Sequence, residues 1–256
     1  MSKWVSKGIR TGLMTTAYPA KPEKAAGVSP GLPLGGGDVE EQASLLAHRC
    51  PTQAISQVDH SVVVDYRRCV HCFRCERGTP MPIRWDQGYE WAAAAGSDGP
   101  LRNLGSEFRR SIHIRVLDAG DCGACLHEVK QLNNPYYNMH RLGFFITPTP
   151  RHADVLLVVG PVTDQMRVAL QKTYDAMPTP KRVVAVGACA LSGGVFGPSF
   201  VSEGGVARVI PVDVEVPGQP PPPLAILHAL LVAVGRKPPA SLVSPAPAAK
   251  EKVAAP

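Results

Sequence analysis

The hydrophobic pattern of the chain changes character near residue 110. Beyond that point, residues 111–117 (Ser-Ile-His-Ile-Arg-Val-Leu) alternate with the period of two expected of a half-buried strand. Residues 153–160 and 183–189 are continuous apolar runs, the pattern of parallel strands covered on both faces. Residues 209–221 predict another strand that ends in a Pro/Gly turn. Between these runs, residues 163–177 carry Met166, Ala169, Leu170 and Tyr174 at helical spacing, and Pro178 and Pro180 stop the helix. Residues 224–235 are apolar nearly all round, so they predict a helix buried in the domain or against a partner. Alternation of this kind predicts an α/β domain with a flavodoxin-like, doubly wound parallel sheet. Its ligands belong beyond the carboxyl ends of the strands.

The first part of the chain has no such rhythm. Trp4, Val5, Ile9, Leu13 and Met14 fall on one side of a short helix flanked by Lys3, Lys7 and Arg10. A basic amphipathic segment of this kind can lie on a membrane surface, dock on a partner, or pack as a frayed end on its own domain. Residues 17–38 are rich in Pro, Gly and Ala and predict extended chain. Residues 62–66 predict a short strand, and residues 86–108 a helix and a Gly/Ser/Pro linker. The implied units are a basic and Pro/Gly-rich segment (1–38), a small α+β domain (39–90), a linker (91–109), the α/β domain (110–237) and a Pro/Ala-rich tail (238–256). Residues 136–150 concentrate Tyr136, Tyr137, Met139, Leu142, Phe144 and Phe145, more large apolar groups than a loop needs. Part of this stretch and the face carrying Cys122 are expected to be buried by a large subunit; the alternative is that these residues cover the domain's own sheet edge.

At 256 residues the chain is long enough for two modest domains. Its net charge of +6 is mild and suits an acidic partner or anionic lipid without requiring either. No apolar run approaches the ~20 residues of a membrane span, and the lysines near the start are followed by no signal-peptide core. Seven cysteines, odd in number and clustered by spacing, point to metal ligation in a reducing compartment rather than to disulfides.

Four of them make one constellation. Cys69, Cys72 and Cys75 form a C-x₂-C-x₂-C run, and Cys50 precedes Pro51 upstream. Two-cluster ferredoxins carry C-x₂-C-x₂-C-x₃-C-P twice, and each fourth cysteine serves the other motif's cluster. Counting back from Cys50, the first run's partners fall on Glu40, Ala43 and Leu46; counting forward from Cys75, the second run's last cysteine falls on Thr79. Every ligand of one cluster is lost and every ligand of the other is kept. This pattern predicts one 4Fe-4S cluster on Cys50, Cys69, Cys72 and Cys75, held in a small α+β ferredoxin-like domain. A Cys₄ zinc knuckle is the rival. His71, between the ligands, is expected to be a solvated loop residue. Arg67, Arg68, Arg74 and Arg77 would steer an acidic electron partner or offset the cluster's charge. No stacking aromatics interleave with them, which argues against nucleic acid.

The remaining cysteines follow the predicted strands. Cys122 and Cys125 lie on a Gly-punctuated turn after residue 117, and Glu128 opens a helix. Cys189 ends the run at 183–189. A lone C-x-x-C is shared by redox dithiols, zinc knuckles and clusters. The Gly193-Gly194 turn belongs to no Walker or dinucleotide pattern, so no nucleotide is expected.

The order Cys-x-x-Cys-x-x-Glu (Cys122, Cys125, Glu128), Pro150-Arg-His-Ala-Asp154, Gly-x-Cys (Cys189) and Val216-Pro-Gly-Gln-Pro-Pro221 resembles one family over roughly residues 110–235. It comprises the small subunits of membrane-bound (group 4, formate-hydrogenlyase-type) nickel–iron hydrogenases and the 20-kDa (B) subunit of NADH:quinone oxidoreductase, complex I. The spaced cysteines look like the hydrogenase branch, and residues 15–19 resemble the leader of ferredoxin-type subunits found beside such hydrogenases. The resemblance implies a second iron–sulfur cluster on Cys122, Cys125 and Cys189, with Glu128 as a proton relay. It departs at Gln219, where the family has a cysteine. Without that thiolate, three outcomes stand open: a cluster completed by water, Asp121, His127 or a partner; a three-iron cluster; or an empty, structural turn. The implied function is a non-catalytic electron-transfer subunit on the cytoplasmic face of the inner membrane. It would be peripheral through its complex, beside a large subunit and other iron–sulfur and membrane subunits. The alternative is a redox-degenerate scaffold of such a complex.

Overall fold

The computed structural model describes residues 2–35, 40–58, 61–79, 83–96, 108 and 110–244. Parts of the expected linker and tail, and Pro80, lie outside the described residues. A six-stranded sheet dominates. Its parallel strands are β6 (Ile112–Asp118), β7 (Phe144–Ile146), β8 (Val155–Val159), β9 (Arg182–Val186) and β10 (Val214–Val216). The spatial order is β5-β10-β9-β8-β6-β7, and β5 (Ala93–Ala94) is an antiparallel edge strand on β10. The strand order reverses beside β6, which puts a topological switch point where Cys122 and Cys125 follow that strand.

Residues along each strand divide between two cores. Val155, Leu157, Val159, Val184 and Val186 face one side, with α3 (Ala124–Gln131) and α6 (Pro223–Ala233). Leu156, Val158, Val183 and Ala185 face the other, with Leu170 of α4 (Asp164–Asp175) and Ala190 of α5 (Ala188–Ser192). This is the doubly wound arrangement read from the pattern. All eleven residues of α6 are buried, which explains its lack of a polar face. Proline at its first turn needs no hydrogen-bond partner there.

The earlier residues form α1 (Lys3–Thr11), β1 (Leu32–Pro33), α2 (Glu40–Arg49), the hairpin of β2 (Ile55–Val58) with β3 (Ser61–Val64), and β4 (Trp85–Asp86), which pairs with β1. Their apolar side chains, Leu46, Ile55, Val62, Val64 and Trp91 among them, join the same core as α3 and α6. Residues 240–244 return to this region: Ala240 N–H donates to Ala92 O at 2.8 Å and Ser244 N–H to Val64 O at 3.1 Å.

Two expectations need correction. The helix expected at the start of residues 86–108 is replaced by β4 and β5, because Trp91 and Ala92 are drawn into the core and the backbone at 93–94 completes the sheet edge. The strand expected over 209–221 is confined to Val214–Val216. Within residues 136–150, Met139 and Phe144 are fully buried and Phe144–Ile146 is the edge strand β7. A larger exposed apolar group stands elsewhere, at Val195, Phe196, Phe200 and Val201.

Candidate metal centres

The first site is built by a loop that winds around its own cysteines. After β3, residues 69–75 wrap inward with His71 and Phe73 at positive φ (49° and 57°). Non-glycine residues adopt that conformation only where the surroundings impose it. The surroundings are visible. Phe73 stacks on Trp85 at 4.4 Å, and Arg49 of α2 donates to the carbonyls of Arg74 (2.7 Å) and Arg77 (3.0 Å). Cys50, Cys69, Cys72 and Cys75 all line one cavity with Ala54, Ile55, Val64 and Phe73. All are free thiols. Burial, then the other three thiols, pushes the Cys69 thiol up to about 12, and burial, then neighbouring thiols, pushes Cys75 up to about 11. Four mutually close thiols raise one another's cost of ionisation until a cation sits among them. Ala54 N–H donates to Cys50 Sγ at 3.3 Å.

Two of the positions where a second ferredoxin cluster would need thiols are closed. Ala43 and Leu46 are fully buried hydrocarbon, and the buried Thr79 hydroxyl has no hydrogen-bond partner. His71 is not solvated as expected. It is 8% exposed, packed edge-on to Trp85 and Trp91, and burial lowers its pKa to about 4. Arg67 is also more than a surface charge: its guanidinium meets the buried Glu215 of β10 at 2.6 Å.

The second site is assembled by topology rather than by local winding. Cys122 stands exposed on the turn after β6, Cys125 is buried in the first turn of α3, and Cys189 is buried in the first turn of α5 rather than on the strand. Gln219 follows β10, and its side-chain amide reaches Cys189 Sγ at 3.4 Å (Nε2) and 3.6 Å (Oε1). Glycines make the room. A Cβ on Gly187 would lie 2.5 Å from Cys125 Sγ, and one on Gly194 2.8 Å from Cys189 Sγ. Burial, Asp121, and then the other two thiols push the Cys125 thiol well above its usual range. Cys189 is raised by burial, an effect that the Gln219 hydrogen bond opposes. Asp121 Oδ2 accepts from Gly123 N–H and Leu126 N–H, each at 3.0 Å, while its Oδ1 is buried with no partner. A buried carboxylate oxygen left unpaired beside three thiols fits a cationic centre. His127, the other side chain weighed for the fourth position, is exposed and contacts Gln131 at 3.2 Å. Among the described residues, no three His, Cys, Asp or Glu side chains close tightly enough to hold a single ion.

Residues 122–233, from Cys122 to the end of α6, match the family described as the NADH ubiquinone oxidoreductase 20 kDa subunit. An uncharacterized protein of Methanocaldococcus jannaschii is 48% identical over 123 residues, 48% of this chain and 82% of that one. A probable membrane-bound hydrogenase subunit of Pyrococcus furiosus is 42% identical over 125 residues, 49% of this chain and 75% of that one. The chain belongs to this family. Formate hydrogenlyase subunit 7 of Escherichia coli is 34% identical over 162 residues, 63% of this chain but 60% of that protein's length. The residues matched to the family contain Cys122, Cys125, Glu128, Cys189 and Gln219, whereas Cys50, Cys69, Cys72 and Cys75 lie before them.

In this family member the two sites are joined by contacts that the sequence did not announce. Ser192 Oγ of α5 donates to Arg67 O at 2.9 Å, and Trp91 Nε1 donates to Pro217 O, in the Gln219 turn, at 2.9 Å. An open cleft between them is lined by His71 and Phe73 from the first loop and by Glu128, Tyr137, Gln219 and Pro220 from the second. Glu128 is half-buried there, and burial raises its pKa. The only local signals were the tryptophans flanking a polar run, which cannot by themselves name partners more than 100 residues away.

Proposed function

We propose that this chain is a non-catalytic, iron–sulfur electron-transfer subunit of a membrane-associated oxidoreductase of hydrogenase-like or complex I-like type. The observation that carries the reading is the single cavity lined by Cys50, Cys69, Cys72 and Cys75. A lone zinc would draw its thiolates to about 2.3 Å from one centre. The C-x₂-C-x₂-C run with Cys50-Pro51 upstream favours a 4Fe-4S cubane, which when bound supplies one-electron transfer at a potential set by its surroundings. The chain's part is to exclude water with Phe73, Trp85 and Ile55 and to donate N–H groups such as that of Ala54 to the sulfurs. A ferredoxin-like origin for residues 39–90 is part of this reading.

Cys122, Cys125 and Cys189 hold a second cluster in the same proposal. Its fourth position is not a thiolate, because Gln219 stands where the family has a cysteine. Support comes from the glycine-lined space and the unpaired Asp121 Oδ1. Glu128 and Gln219 line the same cleft, and a carboxyl with a raised pKa can hold and release a proton, which supports a relay role. Electrons would pass between the sites toward a separate large subunit, on the cytoplasmic face of the inner membrane, among other iron–sulfur and membrane subunits. The names of the relatives, a membrane-bound hydrogenase subunit and a formate hydrogenlyase subunit, support that setting.

The test is iron, acid-labile sulfide and zinc analysis of the full chain isolated without oxygen, with electron paramagnetic resonance after reduction. The expected result is at least about four irons and four sulfides per chain and a reducible cluster signal. Zinc without sulfide would sink the proposal.

A further inference from the structure

The helix α1 (Lys3–Thr11) contributes nothing to the core: none of its residues is buried. Trp4 is 77% exposed and Ile9 71%, and beyond the helix Leu13 is 97% exposed. At 100° per residue, Trp4, Val5, Gly8 and Ile9 occupy one side of the helix, while Lys3, Lys7 and Arg10 fall on the opposite side. Five basic residues (Lys3, Lys7, Arg10, Lys21 and Lys24) lie in the first 24 positions against one acid, Glu23. Gly12 ends the helix at a φ of 66°. The chain is then tied down: Thr15 Oγ1 donates to Pro135 O and Thr16 N–H to Tyr136 O, each at 2.9 Å. Arg141 donates to Tyr18 O. The helix is therefore held at one end of the molecule with its apolar face uncovered.

We infer that α1 is an in-plane anchor that seats this end of the protein on an anionic lipid surface. Its apolar side, with tryptophan at the headgroup level, would enter the interface, and its three cations would remain among the lipid phosphates. The charge favours lipid over a protein groove. Cations opposite the apolar face stay at the headgroup plane of a bilayer, whereas in a groove they would point away from the partner. A nine-residue helix is marginal in water, so binding also stabilises the helix. No residue of α1 is buried or is a cysteine of either metal site, so lipid binding and metal binding can be tested separately.

The test is flotation of the full chain, purified without oxygen, with vesicles of phosphatidylcholine alone or mixed with phosphatidylglycerol. The wild-type chain is expected to float with the anionic vesicles, and high salt should release it. Each basic side chain near an anionic surface contributes about a fivefold gain. The triple change Lys3→Gln, Lys7→Gln, Arg10→Gln should therefore lower partitioning about 100-fold, and Ile9→Glu should do so independently. Brominated lipid should quench fluorescence in the wild type but not in Trp4→Phe, which keeps the apolar face and removes the reporter. Because α1 has no buried residue, these variants leave fold and iron content unchanged. Failure of the wild type to float with anionic vesicles would overturn the inference, as would equal floating by the charge-neutralised variant. Loss of a co-purifying protein with Ile9→Glu, without loss of vesicle binding, would assign the face to a protein partner instead and equally overturn it.

Discussion

The two cysteine sites differ in how they are made. Three of the first site's four thiols come from seven consecutive residues, and Cys50 arrives through the adjoining α2–β2–β3 unit. The second draws Cys122 and Cys125 from beyond β6 and one residue each from beyond β9 and β10, so its geometry depends on the whole sheet. The first site closes on itself with a full thiol set. The second keeps its space but carries an amide in contact with Cys189. A locally wound site should therefore fail one ligand at a time while the fold persists. A site set by topology should respond to changes in packing as much as to changes in ligands.

The largest expected effect separates the two sites. Cys72→Ser should remove the iron of the first site, about four atoms per chain, since a hydroxyl is a far poorer iron ligand than a thiolate. Cys72 is exposed, so the sheet should be unaffected, and iron analysis beside circular dichroism checks both points. Loss of all iron from this variant would show that the sites are not independent.

Next in size is Gly187→Ala. Its Cβ would meet Cys125 Sγ at 2.5 Å, at a φ of 92° that alanine adopts poorly. Strain and overpacking together should cost about 2–4 kcal/mol. Denaturant titration reads the stability, and metal analysis should report loss from the second site alone. Gln219→Cys tests the same site from the other side. It should preserve stability to within about 1 kcal/mol and give a second cluster that survives air longer and reduces at lower potential, because thiolate adds charge. Voltammetry checks the direction.

Much of this was legible in the sequence because spacing alone carries it. The grouping of Cys50, Cys69, Cys72 and Cys75 around one cavity follows from counting cysteines, and β8, β9, α4 and α6 follow from apolar runs whose period matches their burial. Residues 93–94 illustrate what was hidden. Four alanines after Trp91 read as helix, and only the free edge of β10, more than 100 residues later, makes them a strand. His71 was hidden for a similar reason: a histidine between ligands reads as solvated until Trp85 and Trp91 close over it. Residues 195–201 carry Phe196 and Phe200 into solvent, with no periodicity to mark them.

The smallest effect concerns the seam between the two regions. His228, buried in α6, accepts from Ala92 N–H at Nδ1 (3.2 Å), and its Nε2 faces Pro238 O at 3.3 Å. Burial lowers its pKa below the ordinary 6.5. The folded state therefore resists a proton that the unfolded chain accepts, so this contribution is complete above about pH 6.5 and falls as the pH drops below it. His228→Gln offers the same donor and acceptor without titrating. The drop in Tm between pH 7.5 and pH 5.5 should be smaller in that variant than in the wild type.

The comparison of the two sites rests finally on whether both hold iron in different ligand sets. Mössbauer spectroscopy of the full chain, loaded with iron-57 and kept free of oxygen, reads this directly. Two cluster components are expected: one with every iron bound by thiolate, and one with a distinct iron whose parameters change in Gln219→Cys. A single all-thiolate component in both proteins would contradict that expectation, and would make the second site a structural turn that has lost its metal.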